Sequence, residues 1–152
     1  MYIKDVIEKY KDKKIKIYVD MDGVIADYDV GNPGNYDKKR PLLANIKLLE
    51  EIAREPNIEM YILSVSRMNE GVEQKEYWLD QYAPFFEKDK RVIIPREKNG
   101  FLPATDLKVN FIKKIERNGE VIIVIDDDPR ILHALAEANL DMCLLKDTAL
   151  IL

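Results

Sequence analysis

Residues 15–27 read IKIYVDMDGVIAD, and this stretch guides the interpretation of the rest of the chain. Its first five residues, Ile15 to Val19, are rich in β-branched side chains and predict a β-strand. The strand stops at Asp20-Met21-Asp22-Gly23, where an acidic pair followed by glycine predicts a turn. This unit therefore predicts two carboxyl groups at the carboxyl end of a strand.

On both sides of this unit, apolar segments of strand length and helix length alternate along the chain. Further strands are predicted at 58–63, 91–94, 121–125 and 142–145. Helices are predicted at 3–10, 41–55 and 70–81, and another from Pro129 onward. A further helix is predicted between these, with Thr105 or Asp106 as its N-terminal cap and Asn118-Gly119 at its end. Such alternation predicts an α/β fold, a three-layer α/β/α Rossmann-like domain with a five-stranded, mainly parallel sheet. We expect residues 1–152 to form one domain.

The composition argues against several classes of protein. Of 152 residues, 47% are hydrophobic and 34% are charged, which allows a buried core and argues against disorder. A net charge of −4 argues against bulk binding of nucleic acid or anionic lipid. The single cysteine, Cys143, fits a reducing compartment. No apolar run approaches the ~20 residues that span a bilayer, and residues 1–16 lack a signal-peptide core, so we expect a cytoplasmic protein without membrane contact.

Polar side chains also stand near the other predicted strands. Asp126 and Asp127 follow the fourth strand, and Ser64 follows the second. Lys108 begins the helix that leads into the fourth strand. Because ligands of open parallel sheets bind beyond the carboxyl ends of the strands, we expect these groups to share one edge. Two acidic pairs form the kind of oxygen site that Mg²⁺ prefers, and a hydroxyl and an ammonium group there are candidates to hold an anionic substrate.

These residues resemble the motifs of the haloacid dehalogenase (HAD) superfamily. Residues 20–27, DMDGVIAD after an apolar strand, are similar to the first HAD motif and closest to its form in deoxyribonucleotidase-like phosphatases. Ile62-Leu63-Ser64 resembles the second motif, with Ser66 as the alternative serine, and residues 123–127 (IVIDD) resemble the fourth. The third motif is a single lysine, for which Lys108 is preferred and Lys98 is the rival.

The resemblance implies a role for each residue. Asp20 would be the nucleophile and a Mg²⁺ ligand, and Asp22 the general acid and then the general base, with its backbone carbonyl facing the metal. Ser64 and Lys108 would hold the phosphoryl group. Asp127, with Asp126, would complete the metal site. The implied activity is that of a Mg²⁺-dependent phosphatase, a phosphoric monoester hydrolase that forms an aspartyl-phosphate intermediate.

The segment after the first motif is short for an enzyme of this kind. HAD phosphatases often insert a helical cap there, whereas residues 28–63 provide only for a loop, a helix and a strand. The chain is therefore expected to be capless or nearly so. An open site suits a phosphorylated polymer end or protein, or a small molecule covered by a neighbouring subunit in an oligomer. A nucleotide and a nucleic-acid end are the substrate candidates that the first motif suggests.

Other interpretations fit the same residues less well. A calcium loop counted from Asp20 would place Val24 and Gly31 at liganding positions, and neither side chain offers an oxygen. A receiver-like signalling domain, or a non-hydrolysing phosphate-binding domain, also gathers acids, a hydroxyl and a lysine on a five-stranded sheet. Receiver domains carry their phosphoacceptor after the third strand, where this chain has Pro95. The sequence therefore favours the phosphatase.

Overall fold

The computed structural model describes residues 1–28, 31 and 34–151 and contains one five-stranded sheet between two layers of helices. The strands are β1 (Ile15–Val19), β2 (Ile58–Ser66), β3 (Arg91–Pro95), β4 (Val121–Asp126) and β5 (Cys143–Lys146). The helices are α1 (Ile3–Lys9), α2 (Leu43–Ala53), α3 (Asn69–Tyr82), α4 (Ala104–Lys114) and α5 (Pro129–Glu137). The predicted α/β class, with its alternating helices and strands, is confirmed.

All four pairs of neighbouring strands are parallel, and the strand order is β3-β2-β1-β4-β5. The central strand β1 pairs with β2 on one side and β4 on the other, so that Val19 lies opposite both Ile62 and Ile125. The chain moves outward from β1 to β3 and then returns to start β4, which makes the β1–β4 boundary a topological switch point. Flavodoxin-like receiver folds have the order 2-1-3-4-5, so the strand order argues against the receiver interpretation.

Both faces of the sheet are covered, because successive side chains of each strand point to opposite faces. In β1, Ile17 and Val19 join a core that includes Trp78 of α3, whereas Tyr18 joins a second core with Ile112 of α4. This double burial explains why β1 and β4 consist almost entirely of apolar residues. Within the described part of the chain, no helix is long and apolar enough to cross a membrane.

Some predicted boundaries were wrong. Strand β2 continues past Leu63 to Ser66, because residues 62–66 pair with all of β3, and Ser64 therefore lies inside the strand rather than after it. Helix α4 begins directly after Pro103, whose side chain provides no cap, so that Thr105 and Asp106 lie in its first turn. It ends at Lys114, before Asn118-Gly119, since Ile115 already has an extended backbone.

The connection between β1 and α2 contains no helical domain in its described residues. Only a 3₁₀ turn, Tyr36–Lys38, interrupts the loop there. Two short bridges hold the ends of this connection together, Asp22 with Ala26 and Ala26 with Pro41. The described residues of this connection therefore form no cap over the carboxyl edge of the sheet.

Candidate active site

The turn after β1 is built around one backbone carbonyl group. The carbonyl oxygen of Met21 accepts hydrogen bonds from the N–H groups of Val24, Ile25 and Ala26, at 3.1, 2.9 and 3.0 Å. The N–H of Asp20 still follows the sheet and donates to Ile125 of β4. The sequence Asp-Met-Asp-Gly thus ends the strand abruptly and leaves the side chains of Asp20 and Asp22 at the carboxyl edge.

Three carboxyl groups converge at the β1–β4 boundary. One carboxylate oxygen from each of Asp20, Asp126 and Asp127 lies within 4.8 Å of the others. Asp126 is almost fully buried, and its Oδ1 accepts a hydrogen bond from the N–H of Asp128 at 3.0 Å. The switch point of the sheet therefore carries an oxygen-rich cluster, as expected from the sequence.

Gly23 makes room for this cluster. Its φ of 84° is the left-handed conformation that glycine tolerates best. A β-carbon at this position would overlap the carboxylate of Asp127. The glycine of the first motif is therefore required both for the turn and for the close approach of Asp127 to it.

We expect Gly23→Ala to lower the free energy of unfolding by about 2–4 kcal/mol, because it combines backbone strain with displacement of Asp127. The matched control is Gly119→Ala, since Gly119 has a φ of 87° and no atom within 4 Å of the added β-carbon. That control should cost only about 1–2 kcal/mol, the strain of the conformation itself. Urea denaturation measures both, and equal losses would contradict the proposed role of Gly23.

Lys108 is the cation of the cluster. Its side chain is 4% exposed, and Nζ donates to Asp20 Oδ1 at 3.0 Å and to Asp126 Oδ2 at 2.6 Å. Lys98, the rival for the third motif, is exposed in the 3₁₀ turn Glu97–Asn99. The structure therefore brings Lys108 to the acidic residues and leaves Lys98 at the surface.

The pKa values of Lys108, Asp20 and Asp127 are all raised above their usual values. Burial alone would lower the pKa of Lys108, but the charges of Asp20 and Asp126 outweigh it and raise the pKa above its usual value. Burial, together with the charge of Asp126, raises the pKa of Asp20 despite the opposing effect of Lys108. Burial and the charges of Asp20 and Asp126 raise the pKa of Asp127 to about 8. The cluster is therefore short of positive charge.

The side chains present fit a divalent cation. When all are ionised, the four carboxyl groups of the site exceed the two lysine ammonium groups that contact them by two charges, the charge of one Mg²⁺. Carboxylate oxygens are the ligands that Mg²⁺ prefers. Asp20, Asp126 and Asp127 are the side chains placed to hold it. The carboxyl group of Asp22 is not part of this group, and its Oδ2 lies 3.2 Å from the ammonium group of another lysine.

That second lysine, Lys75 of α3, is a residue that the sequence analysis missed. It is fully buried, and Nζ lies 3.2 Å from Asp22 Oδ2 and 2.6 Å from Ser64 Oγ. Ser64 is itself fully buried, so the structure places its hydroxyl against Lys75. The available signal was the helical spacing of Lys75 relative to Trp78 and Leu79, the buried face of α3.

A cavity of about 390 Å³ opens above the cluster. Its lining includes Asp20, Asp22, Asp126, Asp127, Lys108 and Arg130. Such a volume accommodates a small phosphoester. A larger cavity of about 560 Å³ lies beside α1 and the amino end of β2, with Glu8, Glu51 and Glu55 in its lining. Among the described residues these carboxyl groups do not converge as a possible metal site, and Glu8 and Glu51 pair with Lys11 and Lys4. The residues that line the smaller cavity therefore make it the better candidate for the substrate site.

Asp128 has a structural role at the edge of this cavity. Its Oδ1 accepts a hydrogen bond from the N–H of Arg130 at 2.9 Å and so caps the first turn of α5. Hydrogen bonds from Arg130 lower the pKa of Asp128. Asp128 thus differs from its two acidic neighbours, whose carboxyl groups face the cluster.

Comparisons with known proteins identify the fold. No family model and no curated protein matches the sequence. A chain of the Pnkp1/Rnl/Hen1 RNA repair complex superposes with a TM-score of 0.67 at 18% identity, over 89% of this chain and 43% of that chain. A D,D-heptose bisphosphate phosphatase from B. bronchiseptica, complexed with magnesium and phosphate, gives a TM-score of 0.60 at 13% identity, over 84% and 76%. The HAD domain of the effector protein Lem4 from Legionella pneumophila gives 0.56 at 16% identity, over 88% and 84%.

The chain has a HAD-like fold. It spans less than half the length of the RNA repair chain, but most of the Lem4 HAD domain. The HAD-like fold agrees with the resemblance that the motifs suggested. The finer likeness of residues 20–27 to deoxyribonucleotidase-like phosphatases stays a prediction, since identities of 13–18% establish the fold alone.

Proposed function

We propose that this protein is a Mg²⁺-dependent phosphatase that hydrolyses a phosphomonoester through an aspartyl-phosphate on Asp20. One observation carries the proposal: carboxylate oxygens of Asp20, Asp126 and Asp127 lie within 4.8 Å of one another, with Lys108 3.0 Å from Asp20. Opposite a phosphate group, this arrangement provides a nucleophile, a cation site and a permanent positive charge. The HAD-like fold supports the same assignment.

In the first step, a carboxylate oxygen of Asp20 attacks phosphorus as the bond to the ester oxygen breaks. Lys108 holds Oδ1 of Asp20 in place, and its remaining N–H is available for a phosphoryl oxygen. Asp22, two residues beyond the nucleophile, gives its proton to the departing ester oxygen. The products of this step are the free alcohol and the phosphorylated Asp20.

In the second step, water attacks the phosphorus of the aspartyl-phosphate. Asp22, now ionised, accepts a proton from this water. Cleavage of the acyl-phosphate bond releases inorganic phosphate and restores the carboxylate of Asp20. The acid at position 22 thus favours turnover over a lasting phosphorylated state, which separates this proposal from a regulatory phosphate-binding domain.

The side chains of Asp20, Asp126 and Asp127 would hold the metal ion. When bound, Mg²⁺ offsets the negative charge that the transferring phosphoryl group spreads over its oxygens. Asp126 is held in place at the end of β4, where its Oδ1 accepts a hydrogen bond from the N–H of Asp128, and Asp127 follows it directly.

Three features support a nucleotide or a nucleic-acid end as the substrate. Residues 20–27 resemble deoxyribonucleotidase-like phosphatases, and a chain of an RNA repair complex shares the fold. The described residues between β1 and α2 form no cap domain, so the cavity is accessible to a polymer end. A panel of nucleotides, sugar phosphates and phosphorylated oligonucleotides distinguishes these substrate classes.

Hydrolysis of p-nitrophenyl phosphate, with Mg²⁺ and with EDTA, tests the proposed function. We expect turnover with Mg²⁺ and a loss of at least about 100-fold in EDTA, because the acidic cluster would then repel the substrate. Returning an excess of Mg²⁺ should restore the rate. The absence of hydrolysis of p-nitrophenyl phosphate and of the whole substrate panel would contradict the proposal.

A further inference from the structure

The buried ammonium group of Lys75 joins two residues of the site that Lys108 does not contact. Nζ of Lys75 lies 3.2 Å from Asp22 Oδ2, 2.6 Å from Ser64 Oγ and 2.9 Å from the carbonyl oxygen of Val65. The residue is fully buried, a rare position for lysine because its charge must leave water. Three acceptors around one buried ammonium group therefore indicate that Lys75 has a specific role in the site.

These contacts use every hydrogen-bond donor of Lys75. A protonated lysine has three N–H donors, and Asp22, Ser64 and Val65 can accept one each. None is left for a phosphoryl oxygen. Lys108 differs, because in the described structure it donates to two carboxyl groups and keeps a third N–H. The two lysines of the site therefore have different roles.

The surroundings of Lys75 hold it in this position. The ring of Tyr36 covers Nζ, with its centroid 4.3 Å away, a distance at which a cation attracts an aromatic face. The ring reaches this place because residue 71 is glycine; a β-carbon there would lie 2.8 Å from the ring and would overlap Ser66 Oγ. Burial lowers the pKa of Lys75, while the charge of Asp22 opposes this shift. Because Lys75 is fully buried, the hydrogen bonds that it donates are electrostatically stronger than they would be in water.

We propose that Lys75 is a positioning residue that fixes the carboxyl group of Asp22 for proton transfer. Lys75 engages Oδ2, so that the other carboxyl oxygen of Asp22 exchanges the proton with the ester oxygen. The same ammonium group makes Ser64 Oγ an acceptor, which orients the hydroxyl. Lys75 is not the proton donor: the proton that reaches the leaving oxygen comes from the carboxyl group of Asp22. This inference rests on the proposed phosphatase activity.

A comparison of leaving groups tests this role. A p-nitrophenolate leaves without help, whereas an alkoxide needs a proton as the bond to phosphorus breaks. We expect Lys75→Met to lower kcat/KM for both p-nitrophenyl phosphate and the best alkyl phosphate of the substrate panel, or for the alkyl phosphate alone. The loss for the alkyl phosphate should be larger than the loss for p-nitrophenyl phosphate by a factor of about ten or more. Asp22→Asn should give the same pattern with a larger difference.

Two variants serve as controls. Leu79→Val changes a fully buried residue one turn away on α3 that belongs to the apolar core. It should lower stability and leave the ratio of the two kcat/KM values unchanged. Lys75→Arg keeps the positive charge, so it should recover part of the kcat/KM for the alkyl phosphate that Lys75→Met loses. Thermal denaturation of each variant shows that the compared proteins are folded.

The outcomes separate this inference from the proposed function. A wild-type protein inactive toward all phosphomonoesters overturns both. An active wild type, combined with equal losses on both substrates in Lys75→Met, overturns only the role of Lys75. If Lys75→Met does not fold, a crystal structure of the wild type with Mg²⁺ and vanadate decides the question. There we expect Lys75 to remain on Asp22 and vanadate to contact Lys108; a hydrogen bond from Lys75 to vanadate overturns the inference.

Discussion

Replacing Asp20 by asparagine is expected to lower the rate of phosphomonoester hydrolysis by about 10⁴-fold or more, while the protein stays folded. The amide has nearly the same shape but lacks the charged oxygen that attacks phosphorus. Lys108 keeps Asp126 as a partner at 2.6 Å, so the buried ammonium group is not left unpaired. The measurement is kcat for p-nitrophenyl phosphate with Mg²⁺, with circular dichroism as the test of folding.

Asp128→Asn is the matched control for this experiment. It makes the same chemical change at the same edge of the sheet, and asparagine still caps a helix. This variant should retain activity close to that of the wild type. Rapid acid quenching with ³²P-labelled substrate should trap a phosphorylated protein with the wild type and none with Asp20→Asn. Equal activity of Asp20→Asn and the wild type would refute Asp20 as the nucleophile.

Replacing Asp127 by asparagine is expected to have opposite effects on activity and on stability. Hydrolysis should fall by at least about 100-fold, because one of the three carboxylates placed for the metal is lost. In EDTA at pH 8, however, the variant should be more stable than the wild type by about 1–2 kcal/mol, a value reduced for the partial exposure of Asp127. Removing one charge relieves the repulsion among the carboxyl groups.

The pH dependence of stability gives this prediction its sign. The pKa of Asp127 is about 8 in the folded protein and ~3.9 in an unfolded chain. Between these values the folded protein retains a proton that the unfolded chain releases, so this contribution to stability is complete below about pH 4 and is lost as the pH rises through 8. As the pH is lowered, the difference in the free energy of unfolding between Asp127→Asn and the wild type should therefore decrease.

Chemical denaturation at pH 5 and pH 8, in EDTA and in Mg²⁺, measures both arms of this prediction. Mg²⁺ should stabilise the wild type, since a ligand that binds only the folded state favours it, and should stabilise Asp127→Asn much less. Asp128→Asn is again the control, because Arg130 lowers the pKa of Asp128 and its loss should not stabilise the protein. A variant Asp127→Asn that is less stable than the wild type in EDTA at pH 8 would disprove the repulsion.

Much of the site could be predicted from the sequence because strand ends are easy to locate. Apolar segments rich in β-branched residues mark β1 and β4, and the acids that follow them are adjacent in sequence to the strands that hold them. Once alternation predicts a parallel sheet, the carboxyl ends of these strands must share an edge. Asp20, Asp126 and Asp127 therefore required no knowledge of packing between distant side chains.

The end of β2 was harder to locate. Leu63-Ser64-Val65-Ser66 alternates apolar and polar residues, which fits either a strand or a strand end with a hydroxyl. In the structure these residues pair with β3, and both serine hydroxyls find partners inside the protein, Lys75 for Ser64 and the Met68 carbonyl for Ser66. The extent of β2 depended on its neighbour, which the sequence of β2 alone does not contain.

By itself, the sequence determined the α/β class, the acidic turn after β1 and the edge where the carboxyl groups meet, because each of these follows from short-range patterns and from the geometry of parallel strands. The strand order and the presence of a second lysine in the site, Lys75, were decided only by the tertiary structure. Lys75 and Asp22 are 53 positions apart, and only the packing of α3 against the sheet places the ammonium group beside that carboxylate. A lysine side chain is long and usually solvated, so its burial depends on partners that the folded chain alone brings together.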